Sequence, residues 1–149
     1  MNAAPLFHVI LFQPEIPPNT GNVIRLCANT GAQLHLVEPL GFALEDKQLK
    51  RAGLDYHEYS RLQVHPDLDT ALARIAPKRL FALSTRSSVR YDSVAFEEGD
   101  AFLFGPESRG LPQDLLDALP EGCRLRVPMR PANCLPNLSI TVAVVTYVA

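Results

Sequence analysis

Four stretches of this chain place polar side chains in spacings that can do chemistry. The first holds Asn22, Arg25 and Asn29, offset by three and four residues, so that one helix face would carry all of them. Asparagine is a weak helix former, which makes two asparagines and an arginine a poor choice for solubility alone and marks the face as a candidate site. The second is Glu107-Ser108-Arg109-Gly110. An apolar run of strand length, Ala101 to Phe104, precedes it and breaks at the turn signal Gly105-Pro106. The third is Thr85-Arg86-Ser87-Ser88, a polar loop with Arg90 close behind. The fourth is Lys47, Lys50 and Arg51, within two helical turns. It reads either as a solvated helix face or as a patch that contacts phosphates. His57 beside Glu58 would suit acid/base work, but adjacent residues rarely face each other, so no catalytic role is assigned to them.

These groups need elements to position them, and apolar periodicity supplies the elements. Leu6 to Phe12 is an apolar, β-branched and aromatic run expected as a central strand, with His8 inside it as a core or edge histidine. Asn19 is a suitable helix N-cap and Gly31 a suitable stop, and Val23, Ile24, Cys27 and Ala28 can pack inward between them. Leu34 to Val37 predicts a second strand, ended by Glu38-Pro39. Pro66-Asp67 opens a helix with Leu68, Leu72 and Ile75 at helical spacing, and Arg79 to Ser84 predicts the next strand. After Ala101 to Phe104, Pro112 stands where a first helical residue would, with Leu115, Leu116 and Leu119 following. Arg124 to Val127 alternates as a strand. Asp55 to Tyr59 fits a strand or a loop. In Asn137 to Ala149 the β-branched content leans towards strand, although Leu138, Val142, Val145 and Ala149 also fit a helix stripe. Strands alternating with helices predict an α/β fold whose ligand contacts lie outside the carboxyl ends of the strands.

The composition bounds the partners. At 149 residues the chain suits one domain, residues 1–149, and 47% hydrophobic content can fill a core. A net charge of −2 gives no global nucleic-acid footprint, so any such contact must come from a local basic patch or one shared across a dimer. Cys27, Cys123 and Cys134 are widely spaced and odd in number, which fits neither a disulfide framework nor a zinc site and suggests a reduced, cytoplasmic protein. No metal is expected. No apolar run reaches the ~20 residues of a membrane helix, and the N-terminus does not read as a signal peptide. Neither a Gly-x-Gly-x-x-Gly run nor a Gly-Lys-Ser/Thr phosphate loop is present, which weakens the reading as a general doubly wound nucleotide binder.

Three stretches together resemble the SPOUT superfamily of RNA methyltransferases. They are Pro14 to Gly31 (Pro-Glu-Ile-Pro-Pro-Asn-Thr-Gly-Asn-Val-Ile-Arg-Leu-Cys-Ala-Asn-Thr-Gly), Phe104 to Pro112, and Arg126-Val127-Pro128-Met129 with Asn137-Leu138-Ser139. More closely they resemble the small bacterial tRNA 2′-O-methyltransferases of the YibK or TrmL type, which act on the wobble cytidine or uridine. Glu38 to Phe42 and Gly53 to Glu58 are similar to that family too. The resemblance implies a mainly parallel sheet flanked by helices, a C-terminal trefoil knot with a helical tail, a homodimer, and S-adenosyl-L-methionine as cofactor. The partner it implies is tRNA, at the anticodon stem-loop.

The same resemblance implies roles. Leu83, Gly105 and Val127 would line the adenosine pocket and hold it through main-chain groups, with Gly105 allowing close approach. Glu107 would order the loop or face the charged end of the cofactor, and Leu135 stands where a cofactor-contacting serine is common. Arg25 would position a phosphate or polarise the hydroxyl, since its pKa above ~12 makes it a poor base. Asn22 would orient the ribose, and Asn137 with Ser139 would contact it or cap the last helix. The segment Arg130-Pro131-Ala132-Asn133-Cys134-Leu135-Pro136 and Ile140 depart from the family pattern. They leave as alternative a non-catalytic RNA-binding relative with an impaired cofactor site.

Overall fold

A computed structural model of the chain describes residues 7–42, 62–84, 87, 89–90, 94–106 and 108–126. Among these residues seven strands form one sheet: β1 (His8–Phe12), β2 (Gln33–Val37), β3 (Gln63–His65), β4 (Leu80–Leu83), β5 (Val89–Arg90), β6 (Ala101–Phe104) and β7 (Arg124–Arg126). Their spatial order is β3-β2-β1-β6-β4-β7-β5, and each neighbouring pair is parallel. Parallel strands buried on both faces need continuous apolar runs, and Ala101-Phe102-Leu103-Phe104 is buried throughout.

The chain order runs outward from β1 through β2 to β3 on one side, whereas β6 takes the other side of β1. The β1–β6 border is therefore the topological switch point, where connections diverge and leave a crevice at the carboxyl ends.

Helices cover both faces. On one, Val23, Ile24 and Cys27 of α1 (Pro17–Thr30) pack with Val9, Leu11, Leu34, Leu36, Phe81, Phe102 and Leu125. On the other, Ala71 of α2 (Leu68–Ile75) and Leu116 of α3 (Gln113–Asp117) pack with Ile10, Val37, Ala82 and Leu103. Each large aliphatic side chain so buried contributes about 1.5–3 kcal/mol. Alternation within a strand sorts these sets, because neighbouring residues face opposite sides of the sheet.

The local signals explain most boundaries and correct some. Helix α1 begins at Pro17, with Ile16 as its N-cap, and not after Asn19. Prolines at the first two positions have the backbone angle a helix needs and lack N–H groups that would go unpaired there. Gly31 ends α1 at φ 79, and its N–H donates to the Cys27 carbonyl, as the sequence predicts. Asp67 caps α2 through the Thr70 N–H. Pro112 is the cap of α3 and not its first residue, and α3 stops at Asp117, before Leu119. Strands β3 and β5 are too short to show in a periodicity reading and were not expected. Lys47, Lys50, Arg51, the Asp55–Tyr59 stretch, Arg86, and the tail from Val127 on, with the implied knot and helix, lie outside the described residues.

Candidate ligand crevice at the sheet switch point

The carboxyl ends of β6, β4 and β7 stand side by side. Leu83 is in register with Phe104 on one flank and Leu125 on the other, and the Ser84 N–H donates to the Leu125 carbonyl at 2.9 Å. Leu83, Phe104 and Leu125 are buried and make an apolar floor. Gly105 continues directly from β6. A Cβ there would lie 2.5 Å from the Leu111 nitrogen and 2.6 Å from the Gly110 carbonyl carbon. The neighbour that requires glycine is thus the loop's own return, closed by the Gly110 N–H on the Pro106 carbonyl at 2.9 Å.

Across the switch point, the β1–α1 loop meets this β6–α3 loop. One Glu15 carboxylate oxygen accepts from the Ser108 N–H at 2.9 Å and from the Ser108 hydroxyl at 2.7 Å. Arg109 donates to the Gln13 side-chain carbonyl at 3.2 Å, and its Nε stands 4.0 Å from Glu15. The Ser108 bonds, assisted by the Arg109 charge, hold the Glu15 carboxyl below the usual carboxylate range. Two residues on, α1 begins. Asn22 and Arg25 are both exposed on it, while Val23, Ile24 and Cys27 of the opposite stripe are buried. The predicted polar face is therefore a solvent-facing one. The side chain of Asn29 lies outside the described residues.

A profile of the SpoU rRNA Methylase family matches residues 6–147. The chain belongs to that family. A Methylovorus glucosotrophus protein named tRNA (cytidine(34)-2'-O)-methyltransferase is 58% identical, with 97% of this chain and 94% of that one covered. A Burkholderia ambifaria protein of the same name is 60% identical, covering 97% and 94%. A solved structure described as structural insights into the 2-OH methylation of C/U34 on tRNA superposes with a TM-score of 0.85 at 42% identity, covering 98% of this chain and 89% of that one. The SPOUT-type architecture read from the motifs is thus shown: a parallel sheet with helices on both faces.

Of the residues the motifs single out in this SpoU-family chain, the structure brings Leu83 and Gly105 to adjacent strand ends. It leaves Asn22 and Arg25 exposed on α1. Glu107, Val127, Leu135 and Asn137 lie outside the described residues, although β7 carries the chain to the position just before Val127. No cluster of three or more His, Cys, Asp or Glu that could hold a metal ion occurs among the described residues. No helix among them is long and apolar enough to cross a membrane.

Two polar groupings were invisible in the sequence. The Glu15–Ser108 joint spans 93 residues, and no local period connects its ends. The second is a diagonal row of imidazoles across β1, β2 and β3. His8 Nδ1 stands 3.1 Å from His35 Nε2, and His35 Nδ1 stands 3.0 Å from His65 Nε2. His8 is part-buried, as expected, and His35 and His65 are each 1% exposed. Burial, with the neighbouring imidazoles, pushes His35 down to about 3, and burial also lowers His8 and His65. Kept neutral by its burial, the middle imidazole donates from one nitrogen and accepts at the other. His65 Nδ1 is buried and has no hydrogen-bond partner among the described residues. A bare lone pair is easier to leave unpaired there than an N–H. We therefore assign donation from His65 to His35 and from His35 to His8.

Proposed function

We propose that this chain transfers a methyl group from S-adenosylmethionine to the ribose 2′-hydroxyl of the wobble nucleotide, cytidine or uridine, of a tRNA. The observation that carries this reading is the 58–60% identity, over 97% of the chain, to proteins named for that reaction. Main-chain groups at the adjacent ends of β4 and β6, at Leu83 and Gly105, support the cofactor part of the reading, since such groups suit a nucleoside's hydrogen-bonding edge.

When bound, the cofactor supplies a methyl carbon already made electrophilic by its sulfonium. The chain's own residues must hold a hydroxyl in line and manage one proton. Arg25 keeps its charge at any working pH, so it holds a backbone phosphate or polarises the hydroxyl and does not act as the base. Asn22, one helical turn before it, orients the ribose. In this reading Leu83, Gly105 and Val127 hold the adenosine through main-chain groups, Leu135 and Glu107 serve the same cofactor, and Asn137 contacts the ribose.

A second copy of the chain completes the site in this reading. Helix α1 runs back from the carboxyl ends of the strands. Arg25 is eight residues beyond Pro17, about 12 Å along the axis. That sets it back from its own Gly105 loop and turns it outward, towards a partner or the anticodon stem-loop.

Labelled-methyl transfer to tRNA tests the reading. Transfer to a wobble ribose, and none to the 2′-deoxy analogue at that position, is expected. Arg25→Ala is expected to abolish transfer while leaving cofactor affinity intact. A wild-type chain that transfers no methyl to any tRNA would overturn the reading.

A further inference from the structure

We propose that Glu15 is a positioning residue that locks the Gly105 loop to the start of α1, so that a ligand in the loop and an RNA on α1 bind cooperatively. This rests on the methyl-transfer reading above and adds to it a residue and a coupling.

The joint has one carboxylate at its centre and a stiff backbone on each side. Behind Glu15, the Gly41 N–H donates to the Pro14 carbonyl at 2.9 Å, and a Cβ on Gly41 would sit 2.9 Å from the Glu15 Cα. The Gln13 N–H donates to the Val37 carbonyl at 3.0 Å, which ties the same loop to the end of β2. Gln13 itself holds φ 50, a left-handed conformation that costs a side-chain-bearing residue energy and persists where surrounding contacts enforce it. On the far side, the turn bearing Ser108 is closed by the bond between Gly110 and Pro106 and packed against Gly105.

The sheet register already fixes β1 against β6, so the fold does not need this joint. Bonds at a partly exposed carboxylate contribute little to overall stability. What they fix is the placement of two loops that project beyond the strands. A shift of the Ser108 turn is carried through Glu15 to Pro17 and then along α1, a rigid helix, to Asn22 and Arg25. Ordering the joint once serves both ligands, and the second to bind finds it already made.

The test is calorimetric titration of the full chain with S-adenosylhomocysteine, alone and saturated with an anticodon stem-loop RNA. In the wild type, the RNA is expected to tighten S-adenosylhomocysteine roughly five-fold or more, and the reverse titration must return the same factor. Glu15→Ala is expected to bring the factor to about one, with each single-ligand affinity nearly unchanged. Glu15→Gln keeps a carbonyl oxygen for Ser108 and should retain part of the factor. Ser108→Ala should also retain part, and should add nothing in the Glu15→Ala background. A merely structural residue would change the melting temperature and leave the factor alone. An undiminished factor in Glu15→Ala, or no coupling in a wild type that binds both ligands, overturns the proposal and leaves the methyl-transfer reading standing. A wild type that binds no S-adenosylhomocysteine overturns both.

Discussion

Acidification should unfold this protein earlier than its net charge suggests, and His35 is the reason. Its imidazole lies 1% exposed between two others, and burial keeps it neutral, so that it donates to one and accepts from the other. Its folded pKa is lowered to about 3, against 6.5 for the free side chain. The sign follows from where the extra proton goes. Between those two values the unfolded chain binds it and the folded chain does not, so falling pH favours unfolding. Stability is fully present above 6.5 and declines by about 1.4 kcal/mol per pH unit down towards the folded value. Moving from about pH 7.5 to about pH 5.5 should therefore cost about 1.4 kcal/mol from His35 alone. His8 and His65 are lowered too and add in the same direction. Urea unfolding at matched ionic strength and fixed protein concentration, comparing wild type with His35→Leu, isolates the term. The variant should lose less stability over the same interval, whatever its starting value. In the native wild type, the His35 imidazole resonances should stay those of a neutral ring across the range. An imidazole that titrates near 6.5 in the folded protein, or equal pH slopes in both proteins, would refute the reasoning.

Three further outcomes follow from individual contacts. Asp100 is fully buried, takes two bonds from Arg79 at 3.0 and 2.6 Å, and accepts the Glu97 N–H at 2.8 Å; Asp100→Ala strands those donors and should destabilise the fold by about 2 kcal/mol in denaturant titration. Gly105→Ala forces a methyl to 2.5 Å from the Leu111 main chain, so the loop must open; S-adenosylhomocysteine affinity should fall at least ten-fold, roughly the effect of ~1.4 kcal/mol of lost loop order, while a normal affinity would show that the loop plays no part in holding the ligand. Arg25→Lys keeps the charge but loses the planar fork, and should recover only a small part of the activity lost in Arg25→Ala, read as kcat at saturating cofactor.

What could be read from the residues divides along a physical line. Strands β1, β2, β4 and β6 and helices α1 and α2 announce themselves because burying a face imposes a period that survives in one dimension. Gly31 and Asp67 announce ends because only a few side chains satisfy the backbone there. The start of α1 differs from the expected one because Asn19 is a good cap in isolation, while Pro17-Pro18 commits the backbone three residues sooner. Strands β3 and β5, three and two residues long, carry no period to detect. The Gly105 loop reads from the residues as a turn between a strand and a helix, but the reason for its glycine does not. That reason is a clash within the loop, visible only once the Gly110 turn closes over it. The histidine row has the same character. His8 alone reads as a core or edge histidine, and only the parallel register, which sets Ile10 against His35 and Val37 against His65, lines the three imidazoles up on one face.

The sheet order explains why the joint falls where it does. Strands β1 and β6 are 89 residues apart at their closest ends, yet they are neighbours because the chain, having laid β2 and β3 on one side of β1, comes back to the other. Their following loops must then leave in different directions, one towards α1 on the first face and one towards α3 on the second. Loops that diverge leave a crevice, and a crevice leaves its two walls free to drift unless something crosses it. A carboxylate accepting an N–H and a hydroxyl from the opposite wall is a short, directional link that a hydrophobic contact, which has no preferred direction, could not replace. The link stands beyond the strand ends, outside the buried cluster that holds Leu83, Phe104 and Leu125. It joins the wall that begins α1 to the wall that begins with Gly105. The exposed side of α1 therefore shares its position with the loop that follows β6, and the Glu15–Ser108 joint, beside the Arg109–Gln13 bond, ties any group that α1 presents to a substrate to that loop.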